Sequence, residues 1–179
     1  MTHKCKFLCL LVIGTFGLAS ASADIIVTLN PADAVIGPPV ESTATVDIMA
    51  EIPEEDAILG WGLDLNVDDP GIADITGVAI NTLLFNAAYA PDGDELAGLA
   101  FPECVWGPEV LLATVEFTGV SAGITDIALA VTDGDLTEGF ALCGQGFAVA
   151  ILGDGTVRVV PEPASLALLA VGLLALRRR

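Results

Sequence analysis

The chain has 179 residues, a single domain's length; 54% are apolar and 17% charged, with 24 acids against 6 bases and a net charge of -18. The apolar share excludes a disordered tail, and the sign of the charge excludes a protein that holds nucleic acid by neutralising phosphates. The bases lie at the ends: Lys4 and Lys6, then Arg177, Arg178 and Arg179, with Arg158 alone between them. Residues 24–160 therefore carry 23 acids and one base, a net charge of -22 over 137 residues.

The first segment joins a basic start to an apolar run, Phe7 to Leu18, and to small residues, Ala19 to Ala23. This is the plan of a secretory signal peptide, with Ala21-Ser22-Ala23 as the cleavage site for signal peptidase ahead of Asp24. About 12 apolar residues rise only about 18 Å as a helix, short of a bilayer core about 30 Å thick, so a permanent anchor is the weaker reading. Cys5 and Cys9 do not make a lipobox, because the residue after the cleavage site is Asp24.

Short strands follow. Ile25 to Leu29 is β-branched, and Thr43 to Ala50 alternates Ala44, Val46, Ile48 and Ala50 with polar neighbours. Leu59, Trp61, Leu63, Leu65 and Val67 alternate with Gly60, Gly62, Asp64 and Asn66, the clearest period of two in the chain. Ile75 to Ile80, Leu96 to Phe101, Val110 to Val120, Ile124 to Val131, Gly139 to Leu142, Ala148 to Leu152 and Thr156 to Val160 complete about ten candidate strands. Turn formers stand between them: Pro38-Pro39, Asp68-Asp69-Pro70-Gly71, Pro91-Asp92-Gly93-Asp94, Asp133-Gly134-Asp135 and Gly153-Asp154-Gly155. Thr82 to Tyr89 is the one stretch read as a helical turn. Strands at this spacing without a sustained helical period predict an all-β fold, a β-sandwich, flanked by the N-terminal signal helix and a C-terminal apolar helix.

The last segment is Val160-Pro161-Glu162-Pro163, an apolar run from Ala164 to Leu176, and Arg177-Arg178-Arg179. It reads as a helix breaker, a short helix and a cationic stop on the cytoplasmic side. About 13 residues rise roughly 20 Å, marginal for a permanent span, so a tail recognised and removed by a sorting enzyme fits better. The Pro161-Glu162-Pro163 motif, the Leu/Ala/Gly helix and the three terminal arginines together resemble the PEP-CTERM sorting signal of Gram-negative bacteria. That resemblance implies recognition by an exosortase, transient membrane anchoring through the tail, cleavage near the motif, and delivery to the cell surface or an exopolysaccharide matrix. The expected organisation is a signal peptide (1–23), a β-sandwich domain (24–160) and a sorting tail (161–179). The exported part is also similar to sandwiches of the cohesin and carbohydrate-binding-module type, through Gly60-Trp61-Gly62-Leu63-Asp64-Leu65, a long connection, and Leu111 to Phe117 before a Gly-rich turn. That resemblance implies a jelly-roll-like sandwich of about nine strands, and it carries no motif that transfers a binding residue.

The single histidine, His3, leaves with the signal peptide, and residues 24–160 hold no lysine. Ser-His-Asp and Cys-His nucleophile systems, histidine metal sites and Schiff-base lysines are thereby excluded from the exported part. Carboxylate-pair glycoside hydrolysis remains as the enzymatic alternative. Asp92 with Asp94, and Asp133 with Asp135, place carboxylates one residue apart on turns, where Ca²⁺ takes oxygen ligands. As an EF-hand loop the first pair fails, since Leu96 and Ala97 occupy positions 5 and 6. Acidic turns serving solubility are the preferred reading, with no resident cofactor and weak Ca²⁺ binding as the alternative. Trp61, Trp106 and Tyr89 are the candidate sugar platform; Trp61 falls on the apolar face of its strand and Trp106 on a loop. Cys104 and Cys143, the cysteines left after export, are expected to pair in an oxidising compartment. The reading is an exported, non-catalytic surface or matrix protein whose partners are polysaccharide or other matrix components. A calcium-dependent carbohydrate-binding module is the first alternative, and a glycan-active enzyme the second.

Overall fold

The computed structural model describes residues 24–88, 96–100, 102–132, 135, 137–144 and 146–163. The expected signal helix and the C-terminal apolar helix with Arg177, Arg178 and Arg179 lie outside them, as do Asp92, Asp94, Asp133 and Tyr89. Among the described residues, no helix is long and apolar enough to cross a membrane.

The chain is built from strands in three sheets, with a 3-10 turn at Glu54–Asp56. The first sheet contains β1 (Ile25–Asn30), β3 (Thr43–Ile52), β6 (Ala73–Ile80), β9 (Gly107–Gly119) and β13 (Ala150–Leu152), in the order β13-β1-β3-β9-β6. The second contains β2 (Asp33–Ile36), β5 (Asp64–Val67), β10 (Gly123–Ala130) and β14 (Asp154–Val159), in the order β2-β14-β10-β5. The third contains β4 (Ile58–Gly62), β7 (Asn86–Ala87), β8 (Ala97–Leu99), β11 (Gly139–Leu142) and β12 (Phe147–Ala148), in the order β12-β11-β4-β8-β7. Most pairings are antiparallel, but β1 lies parallel to β13 and β2 parallel to β14, so both ends of the domain are tied into two sheets.

Alternation places the core. In β1, Ile25, Val27 and Leu29 are buried while Ile26, Thr28 and Asn30 face out; β10 buries Thr125, Ile127 and Leu129 in the same way. At the centre of the first sheet Val46 pairs with Val115, both fully buried. The inward residues of all three sheets meet in one cluster that includes Ile48, Leu112, Phe117, Phe140 and Val157. At roughly 25 cal/mol per Å² of apolar surface removed from water, such burial is the main force holding the sandwich together.

The all-β sandwich is as expected, but several expected runs break, and each break has a local cause. Leu59 to Val67 is not one strand: β4 belongs to the third sheet and β5 to the second, and the chain passes between them at Leu63, whose N–H is bound by the Leu96 carbonyl. Ala148 to Leu152 divides at Val149, with β12 pairing to β11 and β13 to β1. Asp33–Ile36 is not among the candidate strands of the sequence; pairing with β14 makes it one. The helical turn expected from Thr82 is present as a single turn over Thr82–Leu84, shorter than the stretch to Tyr89. The Asn81 carbonyl accepts from the Leu84 and Phe85 N–H groups, and the chain then extends into β7. The count of strand segments is therefore higher than nine while the architecture is the same.

Candidate binding cleft

The loop before β9 reads Pro102-Glu103-Cys104-Val105-Trp106-Gly107-Pro108. Two prolines and a cysteine limit its freedom, and its middle is pinned to the sheet: Val105 and Ile58 each donate their N–H to the other's carbonyl, at 3.0 and 2.9 Å. Cys143 follows β11 and donates its N–H to the Ala57 carbonyl at 2.9 Å. β4 thus starts between the two cysteine-bearing segments, and a Cys104–Cys143 disulfide with Cα atoms 6.2 Å apart joins them. Val105 is held inside, which leaves Trp106 on the other side of the backbone, 54% exposed. Gly107, at φ +152°, lets the chain turn from this loop into β9, where a side chain is strained.

The facing wall is the turn before β7. Asn81 organises it by donating from Nδ2 to the Leu111 carbonyl at 2.9 Å and accepting at Oδ1 from the Leu83 N–H at 3.2 Å. Phe85 anchors the turn in the core, edge-on to Trp61 with ring centroids 5.9 Å apart. The preceding Leu83 and Leu84 cannot enter the same space and stay exposed, Leu83 at 92%. Between the walls lies an open cleft of about 560 Å³ lined by Leu83, Leu84, Trp106 and Pro108, with the carboxylates of Glu103 and Glu109. Neighbouring it on the outer face of the first sheet is a depression of about 350 Å³ over Ile26, Thr28 and Met49, rimmed by Glu51; the two share Pro108 and Glu109.

The tryptophans separate as their sequence settings imply. Trp61 is 3% exposed, and its Nε1 has no hydrogen-bond partner among the described residues. Gly98 lies beneath it on β8, where a Cβ would stand 2.6 Å from that nitrogen. Among the described residues the exposed aromatics are Trp106 and Phe147. Sequence reasoning singled out Trp106 but missed Leu83, Leu84 and Glu109. The available signal was Asn81 before two leucines in a stretch, residues 75–91, that carries no charge.

Asp135 accepts at one oxygen from both the N–H and the hydroxyl of Thr137, at 2.8 and 2.6 Å. The Thr137 hydroxyl first, and its backbone N–H second, hold the Asp135 carboxyl below its ordinary value. Glu138 is buried and accepts from the Thr132 N–H. Another depression, about 410 Å³ between β2, β10 and β14, brings Asp33, Asp126 and Asp154 to one place; Asp33 accepts from the Thr156 hydroxyl at 2.8 Å. Among the described residues, no group of three or more His, Cys, Asp or Glu side chains is arranged to hold a metal ion.

Residues 159–179 match the model of the PEP-CTERM protein-sorting motif. No curated protein matches the chain in sequence. Among solved structures the sandwich is similar to the seventh type I cohesin of ScaB from Pseudobacteroides cellulosolvens. The TM-score is 0.56 at 13% identity, covering 78% of this chain and 94% of that one. It is also similar to a chain of a type I cohesin–dockerin complex from Clostridium thermocellum, at TM-score 0.57 and 12% identity over 79% of this chain and 97% of that one. A non-cellulosomal cohesin from the archaeon Archaeoglobus fulgidus gives TM-score 0.51 at 16% identity over 81% and 97%. The chain therefore carries a PEP-CTERM sorting signal behind a β-sandwich with the fold of cohesin domains. The signal implies export, membrane-anchored transit and processing by an exosortase.

Proposed function

We propose that residues 24–160 form a non-catalytic binding module that an exosortase releases at the surface of a Gram-negative cell, where it is retained in the extracellular matrix by contact with polysaccharide or other matrix components. The observation that carries this reading is the exposed Trp106 in a cleft with both walls anchored, on a sandwich that a sorting signal follows. A flat indole face offers apolar area to the faces of sugar rings, and a cleft already in shape loses little freedom when it is filled. The absence of histidine and lysine from residues 24–160 supports a role without histidine- or lysine-based catalysis.

Electrophoresis of the protein through native gels containing the matrix polysaccharide of its own host tests the reading. The wild-type chain is expected to be retarded relative to a gel without polysaccharide, and Trp106→Ala to run nearly free. Equal mobility of the wild-type chain in both gels overturns it, and release of reducing sugar from the polymer would move the protein to the enzymes.

A further inference from the structure

Resting on the polysaccharide reading above, we infer that the Trp106 cleft selects polysaccharides bearing protonated amino groups, the partly or fully deacetylated amino-sugar polymers, over neutral and acidic ones. The cleft combines an exposed indole with the exposed Glu103 and Glu109, and the rest of its lining, which includes Leu83, Leu84 and Pro108, contains no basic residue. An ammonium group is attracted to the face of an indole more strongly than to any other side-chain ring, and carboxylates at the rim accept its hydrogen bonds with charge assistance. A neutral sugar uses the apolar lining but leaves this second attraction unused.

The charge of the whole domain points the same way. Residues 24–160 carry a net charge of -22, and their one base, Arg158, lies on β14 with Val35 and Ile124 as its cross-strand neighbours, residues that do not line the cleft. A polyuronate approaching the cleft meets repulsion with no cation among the lining residues to relieve it, while a polyammonium chain is drawn in. The polymer also has somewhere to continue. The depression over Ile26 and Met49 shares Pro108 and Glu109 with the cleft and adds the carboxylate of Glu51, so sugars beyond the one on Trp106 meet the same chemistry.

Titration calorimetry on the full chain in a neutral detergent, with glucosamine, N-acetylglucosamine and polyuronate oligomers of equal length, tests the inference at low salt and mildly acidic pH. The glucosamine oligomer is expected to bind about tenfold or more tightly than its acetylated counterpart, and the advantage to shrink as salt is raised. Replacing Glu103 and Glu109 by Gln should shrink that advantage and leave the acetylated oligomer's affinity unchanged, whereas Trp106→Ala should weaken both. All three side chains are on the surface, so melting curves like the wild type's are expected. Equal affinities for the two oligomers, or tighter binding of the polyuronate, overturn amine selectivity and leave the polysaccharide reading standing. If no oligomer binds, the inference falls, while retardation by the host polysaccharide still decides the reading beneath it. Binding of a lysine-rich peptide in place of every sugar overturns both.

Discussion

The two tryptophans show how one residue type acquires opposite roles from its setting. Trp61 alternates with glycines on a central strand, is enclosed by Phe85 and Gly98, and removes nearly its whole ring from water. Trp61→Ala should cost about 3–5 kcal/mol, whereas Trp106→Ala should stay within about 0.5 kcal/mol of the wild type. Urea unfolding of both variants checks the pair, and comparable losses would contradict the assignment. Asp135 gives a pH-dependent counterpart. Its carboxylate is favoured in the folded state by Thr137, so its contribution is present above the ordinary aspartate value of about 4 and is lost as pH falls through the depressed one. A carboxyl-resolved NMR titration should place the Asp135 midpoint below the ordinary range, and Thr137→Ala should raise it. A midpoint that does not move would separate the hydroxyl contact from the shift.

At the scale of elements, neighbouring segments decide what an isolated strand pattern leaves open. The Leu59 to Val67 alternation is legible, but its division between two sheets is not. The change occurs where Leu63 bonds Leu96, more than thirty residues away along the chain. Asp33–Ile36 is likewise a strand only because β14 lies alongside. The Cys104–Cys143 link, at a separation of 39 residues, closes a loop whose entropy loss in the unfolded chain corresponds to roughly 4 kcal/mol. Cys104→Ser with Cys143→Ser should lower the unfolding free energy toward that amount and shift the fluorescence of Trp106, two residues along the chain. An unchanged midpoint would show that the link contributes nothing. Gly98→Ala is a second test on the same sheet. Its methyl would meet Trp61 Nε1 at 2.6 Å and Phe85 Cβ at 3.1 Å, so a loss of about 1–3 kcal/mol is expected in chemical denaturation.

For the whole molecule, charge and the sorting signal are the controlling features. With 23 acids and one base, the folded domain concentrates repulsion that an unfolded chain spreads out. Screening length falls from about 30 Å at 0.01 M salt to about 8 Å at 0.15 M, so sodium chloride should raise the melting temperature steadily, with magnesium matching calcium at equal ionic strength. A rise that saturates at millimolar calcium and is not reproduced by magnesium would instead mark a specific site, because a ligand held only by the folded state stabilises it in proportion to RT ln(1 + [L]/Kd). Mass spectrometry of the surface fraction should find a species beginning at Asp24 and ending near Pro163. Recovery there of chains retaining Arg177, Arg178 and Arg179 would contradict processing.

The sequence by itself determined the sorting signal, the all-β class, the acidity and the lack of histidine in residues 24–160. These depend on local order and composition: Pro-Glu-Pro ahead of an apolar run and terminal arginines, alternation of period two, and counts of side chains. Tertiary structure alone decided which sheet each half of the Leu59 to Val67 run joins, and which residues face Trp106. Leu83 and Leu84 stand across the cleft from Trp106 because Asn81 ties their turn to β9 and Phe85 fills the core beside Trp61. That proximity depends on contacts between segments distant in the chain, and no local pattern records them.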